Sequence, residues 1–219
     1  MADVIEKKRN KYIYVNDKKG YLFFKRVIDI LGSIVGLILF LPISVLISIA
    51  IKIEDPKGKI LFCQERVGIN NKTFKMYKFR SMVSNAEELL KDISELNEMD
   101  GPVFKIKEDP RITKVGKFIR KTSLDEIPQF FNILKGDMTL VGPRPPLGCE
   151  VDNYGDYEMQ RLTVKPGLTC YWQIGGRNSI DFKKWVELDL KYIEERNIFV
   201  DIKIIFKTFF VLFGDENAS

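Results

Sequence analysis

Ile30-Leu31-Gly32-Ser33-Ile34-Val35-Gly36-Leu37-Ile38-Leu39-Phe40-Leu41-Pro42-Ile43-Ser44-Val45-Leu46-Ile47-Ser48-Ile49-Ala50-Ile51 is a run of 22 residues without one charge. At about 1.5 Å per residue it makes roughly 33 Å of helix, enough to cross the hydrocarbon of a bilayer. A helix buried in a soluble core is the competing reading, and so long an uncharged run disfavours it. Pro42 near the middle removes a backbone donor and crowds the preceding turn, so the helix is expected to bend or break there. Both flanks are basic, with Lys25 and Arg26 before and Lys52, Lys57, Lys59 and Arg66 after. Charge bias therefore gives no orientation and accommodates both ends on one side. A hairpin that re-enters one leaflet and breaks at Pro42 fits these facts, with Ser44 and Ser48 as candidate partners for freed backbone groups. A proline-kinked spanning helix is the alternative.

Working outward, residues 1–24 form a basic, polar arm, and they do not read as a cleaved leader because the apolar run that follows is too long. After Asp55-Pro56-Lys57-Gly58 the pattern changes. Ile60–Gln64 and Thr73–Phe79 are β-prone runs around Gly68-Ile69-Asn70-Asn71, which predicts a hairpin. Ser84–Asn97 and Lys114–Lys121 read as amphipathic helices, and Asp181–Arg196 as a third with Phe182, Trp185, Leu188 and Ile193 in its apolar stripe. Residues 198–213 are apolar and rich in phenylalanine, with Asp201, Lys203 and Lys207 as their only charges. They suit a helix lying in the membrane interface with lysines reaching outward; a core helix is the alternative. This divides the chain into a basic arm (1–24), a membrane helix (25–54), a catalytic domain (55–197) and a C-terminal interfacial helix with its tail (198–219).

The chain holds no histidine, which excludes imidazole acid/base chemistry and imidazole metal ligation. Carboxylates, Lys, Arg and Tyr are left to carry any chemistry. Cys63, Cys149 and Cys170 are far apart and in no paired spacing, so reduced thiols are expected and no thiolate metal site. A net charge of +5 favours an anionic partner.

The chemistry-bearing stretch is Arg120-Lys121-Thr122-Ser123-Leu124-Asp125-Glu126-Ile127-Pro128-Gln129. Ser123 and Glu126 have the spacing of a capping box that would start a helix ending at Gly136. Pro128 argues for a second possibility, a distorted lead-in to a helix that starts near the proline. Either way the two acids meet the positive end of a helix dipole. Three Gly/Pro loops follow: Val141–Pro146, Lys165–Thr169 and Gly175–Asn178. Glycine lets backbone N–H groups approach an anion, and the guanidinium of Arg144 or Arg177 matches phosphate oxygens.

These motifs, in this order and over nearly the whole chain from about Lys25 to Phe213, resemble the monotopic phosphoglycosyl transferases of the bacterial sugar-transferase family. The resemblance rests on Lys25-Arg26-x-x-Asp29, Gln64-Glu65-Arg66-Val67-Gly68, Phe74-Lys75-x-Tyr77-Lys78-Phe79-Arg80-Ser81-Met82, the Arg120–Gln129 stretch, Val141-Gly142-Pro143-Arg144-Pro145, Lys165–Thr169 and Gly176-Arg177-Asn178. It implies an α+β, mainly helical, membrane-associated monotopic domain with a re-entrant N-terminal hairpin broken at Pro42 and interfacial amphipathic helices. It implies a bacterial inner-membrane enzyme with its active site on the cytoplasmic face. Sugar-1-phosphate would pass from a UDP-sugar to undecaprenyl phosphate, releasing UMP, as the first membrane step of surface-glycan assembly. Asp125 would be the nucleophile of a covalent phosphosugar-aspartyl intermediate, with Glu126 a ligand of the assisting Mg²⁺. Arg120, Arg144 and Arg177, then Arg80 and Lys78, are the substrate-binding candidates, and Asp29 is expected to pair with Arg26 or Lys25 in a structural role.

A non-enzymatic membrane scaffold that binds anionic lipid would explain the hydrophobic run and the charge, but not an acidic pair beside Gly/Arg loops. No nucleic-acid motif occurs, and the basic residues are interleaved with acids, so nucleic acid is not expected as a partner. The sugar and the oligomeric state are not written in the sequence.

Overall fold

The computed structural model describes residues 12–90, 106, 109–175 and 181–214. It is mainly helical and is organised along one helix, α1 (Lys19–Glu54). By length and composition α1 could cross a membrane, yet little of its apolar surface is covered. It continues through Pro42 as a single helix. The interruption expected there is absent from the secondary structure; what the proline removes is one donor of the backbone ladder, which ordinarily bends a helix. Ser48 Oγ donates to Ser44 O at 2.7 Å, a bond one turn back along the helix, and does not serve the groups freed by Pro42.

Each half of α1 is fastened to the rest of the chain. In the first half, Lys25 Nζ donates to Val141 O and to Asp201 Oδ2 at 2.8 and 3.0 Å. Arg26 donates to the carbonyls of Ile133 and Leu134. Asp29 accepts from Thr139 Oγ1 and from the Leu140 N–H, each at 2.8 Å. Asp29 therefore joins neither Arg26 nor Lys25 by a hydrogen bond, because those side chains are spent on other elements. In the second half, Ile47 and Ile51 pack with Phe79, Ile119 and Ile127 in one apolar cluster.

Strands β1 (Leu61–Val67) and β2 (Thr73–Phe79) form the expected antiparallel hairpin, with Leu61 opposite Phe79 and Val67 opposite Thr73. Its turn holds Asn70 and Asn71 at positive φ, which asparagine tolerates better than most residues. Of the helix read over Ser84–Asn97, the described part is α2 (Ala86–Leu90); the remainder lies outside the described residues. Helix α3 (Lys114–Lys121) forms over the span read for it, with Thr113 capping Gly116 N; Phe118, which helical spacing puts on the apolar side with Val115 and Ile119, is instead exposed.

The capping box is overturned. Ser123 has φ 56 and no capping bond, residues Leu124–Glu126 form a 3₁₀ turn, and α4 (Gln129–Lys135) starts directly after Pro128. A proline restricted to φ near −65° is suited to a helix start and poorly suited to its interior, so the second reading of this stretch holds. Gly136 ends α4 in the left-handed conformation, φ 88, as its position predicted.

Two further strands escaped the sequence reading: β3 (Thr139–Val141) and β4 (Gly167–Thr169) pair in parallel. Short helical turns α5 (Gly148–Val151), α6 (Asp156–Met159) and α7 (Tyr171–Ile174) lead to α8 (Phe182–Glu195), capped by Asp181, and α9 (Ile198–Gly214). The largest core cluster includes Val141, Val164, Cys170, Val186, Leu190, Tyr192, Ile193 and Ile204. Helix α9 divides its faces: Asp201 and Ile204 are buried, as the core reading expects, while Phe199, Phe206 and Phe210 are exposed.

Candidate active site

The acidic pair sits on the 3₁₀ turn between the basic helix α3 and α4. Asp125 is 7% exposed, whereas the Glu126 side chain is open at its edge. Lys78, reaching from β2, stands against both: its Nζ is 2.7 Å from Glu126 Oε1 and 3.5 Å from Asp125 Oδ2. Burial raises the Asp125 carboxyl above the ordinary carboxylate range; Glu126 adds to the rise, while Lys78 and Arg120 oppose it. Arg120, exposed at the end of α3, thus acts on Asp125 through space.

Asn132 sets this geometry and was not singled out from the sequence. Fully buried on α4, it accepts from the Tyr77 N–H at 3.0 Å and donates to Lys75 O at 2.7 Å. One amide thereby locks α4 to the strand that carries Lys78. An isolated amide among Phe130, Phe131, Ile133 and Leu134 was the available signal, since a polar side chain on an apolar helix face needs a partner.

Arg144 is half-buried on the Val141–Pro146 loop, its guanidinium 5.3 Å from the Trp185 ring centre. Arg161 lies 5.2 Å from the same ring, forms a buried ion pair with Asp189 at 2.9 Å and donates to Arg144 O at 3.3 Å. Beneath the loop is Arg66, 5% exposed, donating to Pro145 O and Gln64 Oε1. Arg66 forms no ion pair with a carboxylate among the described residues, and its Nε is buried without a partner. Burial, and then Arg144, push its proton affinity down to about 9, while Glu150 and Glu126 counteract. Arg66 is held under the Arg144 loop by its bond to Pro145 O. Its motif was quoted above, but burial of a charged residue leaves no trace in sequence spacing.

The anion-binding role expected of the loop glycines is not available at Gly142 and Gly167. Gly142 N donates to Thr169 O and Gly167 N to Pro143 O, at 2.9 and 2.8 Å. A Cβ on Gly167 would stand 2.1 Å from Gly142 N, so these two glycines let two backbones cross. Arg80 is buried against Asp55 at the end of α1, forming an ion pair there and donating to Asp55 O at 3.2 Å. Arg177 lies outside the described residues. The site thus brings together Lys78, Asp125, Glu126 and, through space, Arg120; Arg144 lies on a separate loop against Trp185.

The sequence model of a family described as bacterial sugar transferase matches residues 20–215. The chain belongs to that family. It is 49% identical over 203 residues to the galactosyl transferase CpsE of Streptococcus agalactiae serotype III, covering 92% of this chain and 45% of that one. It is 44% identical over 209 residues to the undecaprenyl-phosphate galactose phosphotransferase of Salmonella typhimurium, covering 92% and 43%. It is 39% identical over 188 residues to the exopolysaccharide production protein ExoY of Rhizobium meliloti, covering 84% and 83%. The chain therefore spans less than half the length of the first two relatives and most of the third. In this sugar-transferase chain, Asp125, Glu126, Lys78, Arg66 and Arg144 all fall within the matched residues.

Proposed function

We propose that this chain transfers a sugar-1-phosphate from a UDP-sugar to undecaprenyl phosphate, yielding the lipid-linked diphosphate sugar and UMP. The observation that carries the reading is the Asp125 carboxylate, buried, adjacent to Glu126 and held 3.5 Å from Lys78. A carboxylate oxygen of Asp125 attacks the sugar-bearing phosphorus, and the bond to the bridging oxygen breaks to release UMP. A phosphate oxygen of the lipid then attacks the same phosphorus and returns the carboxylate to Asp125. Lys78 keeps Asp125 ionised in its dry setting, and Arg120, Arg144 and Arg177 neutralise the diphosphate.

Mg²⁺ fits the donor set at Glu126. The two carboxylates already converge on one cation, the Lys78 ammonium, and Glu126 keeps an open edge. Among the described residues no three acids or thiols gather to hold an ion unaided. Mg²⁺ keeps waters and shares substrate phosphates, so it would ask for few protein ligands. When bound, the ion supplies neutralisation of phosphate charge.

The proposed location is the bacterial inner membrane, with the site on its cytoplasmic face and α1 dipping into one leaflet. Supporting this, Lys25 and Glu54 near opposite ends of α1 both bind the same domain. They are 29 residues apart, roughly 44 Å along a helix, against about 30 Å of hydrocarbon. A straight crossing would require that domain on both sides of the bilayer. The test is UMP release by the detergent-solubilised protein with Mg²⁺, undecaprenyl phosphate and a panel of UDP-sugars. Release with one sugar, abolished in Asp125→Asn, is the expected result; release that persists in that variant overturns the nucleophile.

A further inference from the structure

Helix α3 presents two different surfaces. Val115 and the buried Gly116 and Ile119 pack it onto the body of the protein, Val115 against the cluster that contains Ile47 and Ile51 of α1. At 3.6 residues per turn, Lys114, Lys117, Phe118 and Lys121 fall on one stripe, spaced i, i+3, i+4 and i+7. All four are exposed, and Phe118 at 61% is far more open than an aromatic ring in water favours. The helix carries no acid, and among the described residues none of the three lysine side chains has an ion-pair or hydrogen-bond partner. Arg120 leaves the helix off this stripe.

The stripe begins beside the C-terminal end of α1, the helix proposed above to enter the membrane. Glu54, the last residue of α1, accepts from Lys114 N and Val115 N at 2.8 and 3.1 Å, so α3 starts where α1 ends. Just before that junction α1 exposes Ile49 and Ile53, the latter by 76%. An aromatic ring ringed by unpaired ammonium groups, at the rim of an apolar helix, has the chemistry of a surface that meets anionic lipid headgroups.

The geometry points to the Lys114/Lys117/Phe118/Lys121 face of α3 as a docking surface for anionic phospholipid headgroups, one that seats the helix bearing Arg120 on the bilayer. It rests on the membrane placement of α1 argued above and not on the reaction. Phe118 sinks its ring to headgroup depth, and the three lysines pair with lipid phosphates around it.

The test uses the full chain carrying Phe118→Trp in nanodiscs of phosphatidylcholine alone or of a mixture rich in phosphatidylglycerol, each with a brominated lipid as quencher. The signal of Trp172 and Trp185 is subtracted using the unsubstituted chain. Quenching and a blue-shifted emission are expected in the anionic discs, weakening as salt rises. In the background Lys114→Gln/Lys117→Gln/Lys121→Gln the bound-to-free ratio of the face falls on the order of a hundredfold, while turnover in neutral detergent is unchanged. Equal quenching in both discs, no quenching in either, or anionic quenching that survives the triple substitution overturns the proposal. So does a triple variant that keeps its quenching and instead needs more UDP-sugar for half-maximal rate, which assigns the lysines to the donor. Absence of UMP release by the unsubstituted chain bears on the reaction alone and leaves this surface standing.

Discussion

Lys25 on α1 and Asp201 on α9 form a buried ion pair at 3.0 Å, joining the first and last described helices across 176 residues of chain. The pair is embedded: Tyr192 OH donates to Asp201 Oδ1 at 2.7 Å and Tyr21 OH to Oδ2 at 3.0 Å. Lys25 also reaches Val141 O on β3. The first half of α1 is thus anchored to the domain by charge.

Removing one partner strands the other. Lys25→Met is expected to destabilise the protein by about 3 kcal/mol, because Asp201 keeps its two tyrosine donors but loses its counter-ion. Lys25→Met/Asp201→Leu is expected to recover part of that loss. Thermal unfolding in micelles of the single and double variants checks this; additive losses would mean that the pair is not coupled.

Asp125 and Lys78 give a pH prediction. Burial raises the Asp125 carboxyl, and Lys78 opposes the rise. An ionised nucleophile is needed, so the rate falls as pH drops through that raised value, at higher pH than an ordinary carboxylate would give. Lys78→Met moves the acid limb of kcat/KM further up, whereas a lysine with only a packing role would leave the limb in place. For stability the sign reverses. A carboxyl whose folded pKa is raised contributes stability that is present below its unfolded pKa and lost as pH rises through the folded value. At neutral pH its charge is a burden on the fold, so Asp125→Asn is expected to stabilise by ~1 kcal/mol while abolishing turnover. Melting curves at neutral pH, set beside UMP assays, measure both.

Local physics was legible in the sequence and long-range pairing was not. Helices α3 and α8 follow from periodicity, and the hairpin from its β-prone runs and Asn-rich turn. Strands β3 and β4 are three residues each, too short for any periodic signature, and exist because they pair with each other. Asp29 bonds Thr139 across 110 residues, a choice no spacing rule reaches. The acidic pair was visible as chemistry, but its conformation was left between two readings, and Ser123 at positive φ excludes the cap. Arg66 shows the same limit, since its motif was readable and its burial with Nε unpartnered among the described residues was not.

Asn132 carries a positioning role that can be separated from mere stability. Asn132→Leu leaves the part-buried Tyr77 N–H and Lys75 carbonyl without their Asn132 partner, at a cost of about 1–3 kcal/mol. Because β2 then loses its tie to α4, Lys78 drifts from Asp125. The expected signature is a kcat loss together with an acid limb shifted in the same direction as in Lys78→Met. A kcat loss with an unmoved limb would make Asn132 structural only.

The crossing of Gly142 and Gly167 tests how far the Arg144 loop depends on backbone contact. A methyl on Gly167 would lie 2.1 to 2.7 Å from Gly142 N, Cα and O, and none of these is a flexible side-chain tip. Gly167→Ala must therefore separate β3 from β4 or displace the loop, breaking the bond from Gly167 N to Pro143 O. Arg144 follows Pro143 directly, so its guanidinium leaves the Trp185 face while Asp125, Glu126 and Lys78, on other elements, stay in place. The expected outcome is a melting temperature lowered by several degrees, consistent with a loss of ~2 kcal/mol. The KM for UDP-sugar should rise more than kcat falls, and the acid limb should stay unmoved. Arg144→Lys, which keeps the charge but not the planar fork, is expected to reproduce the KM effect without the loss of stability. If Gly167→Ala lowered kcat and left KM unchanged, the loop would act on the acidic turn itself, and Arg144 would lose its role as a donor-binding group.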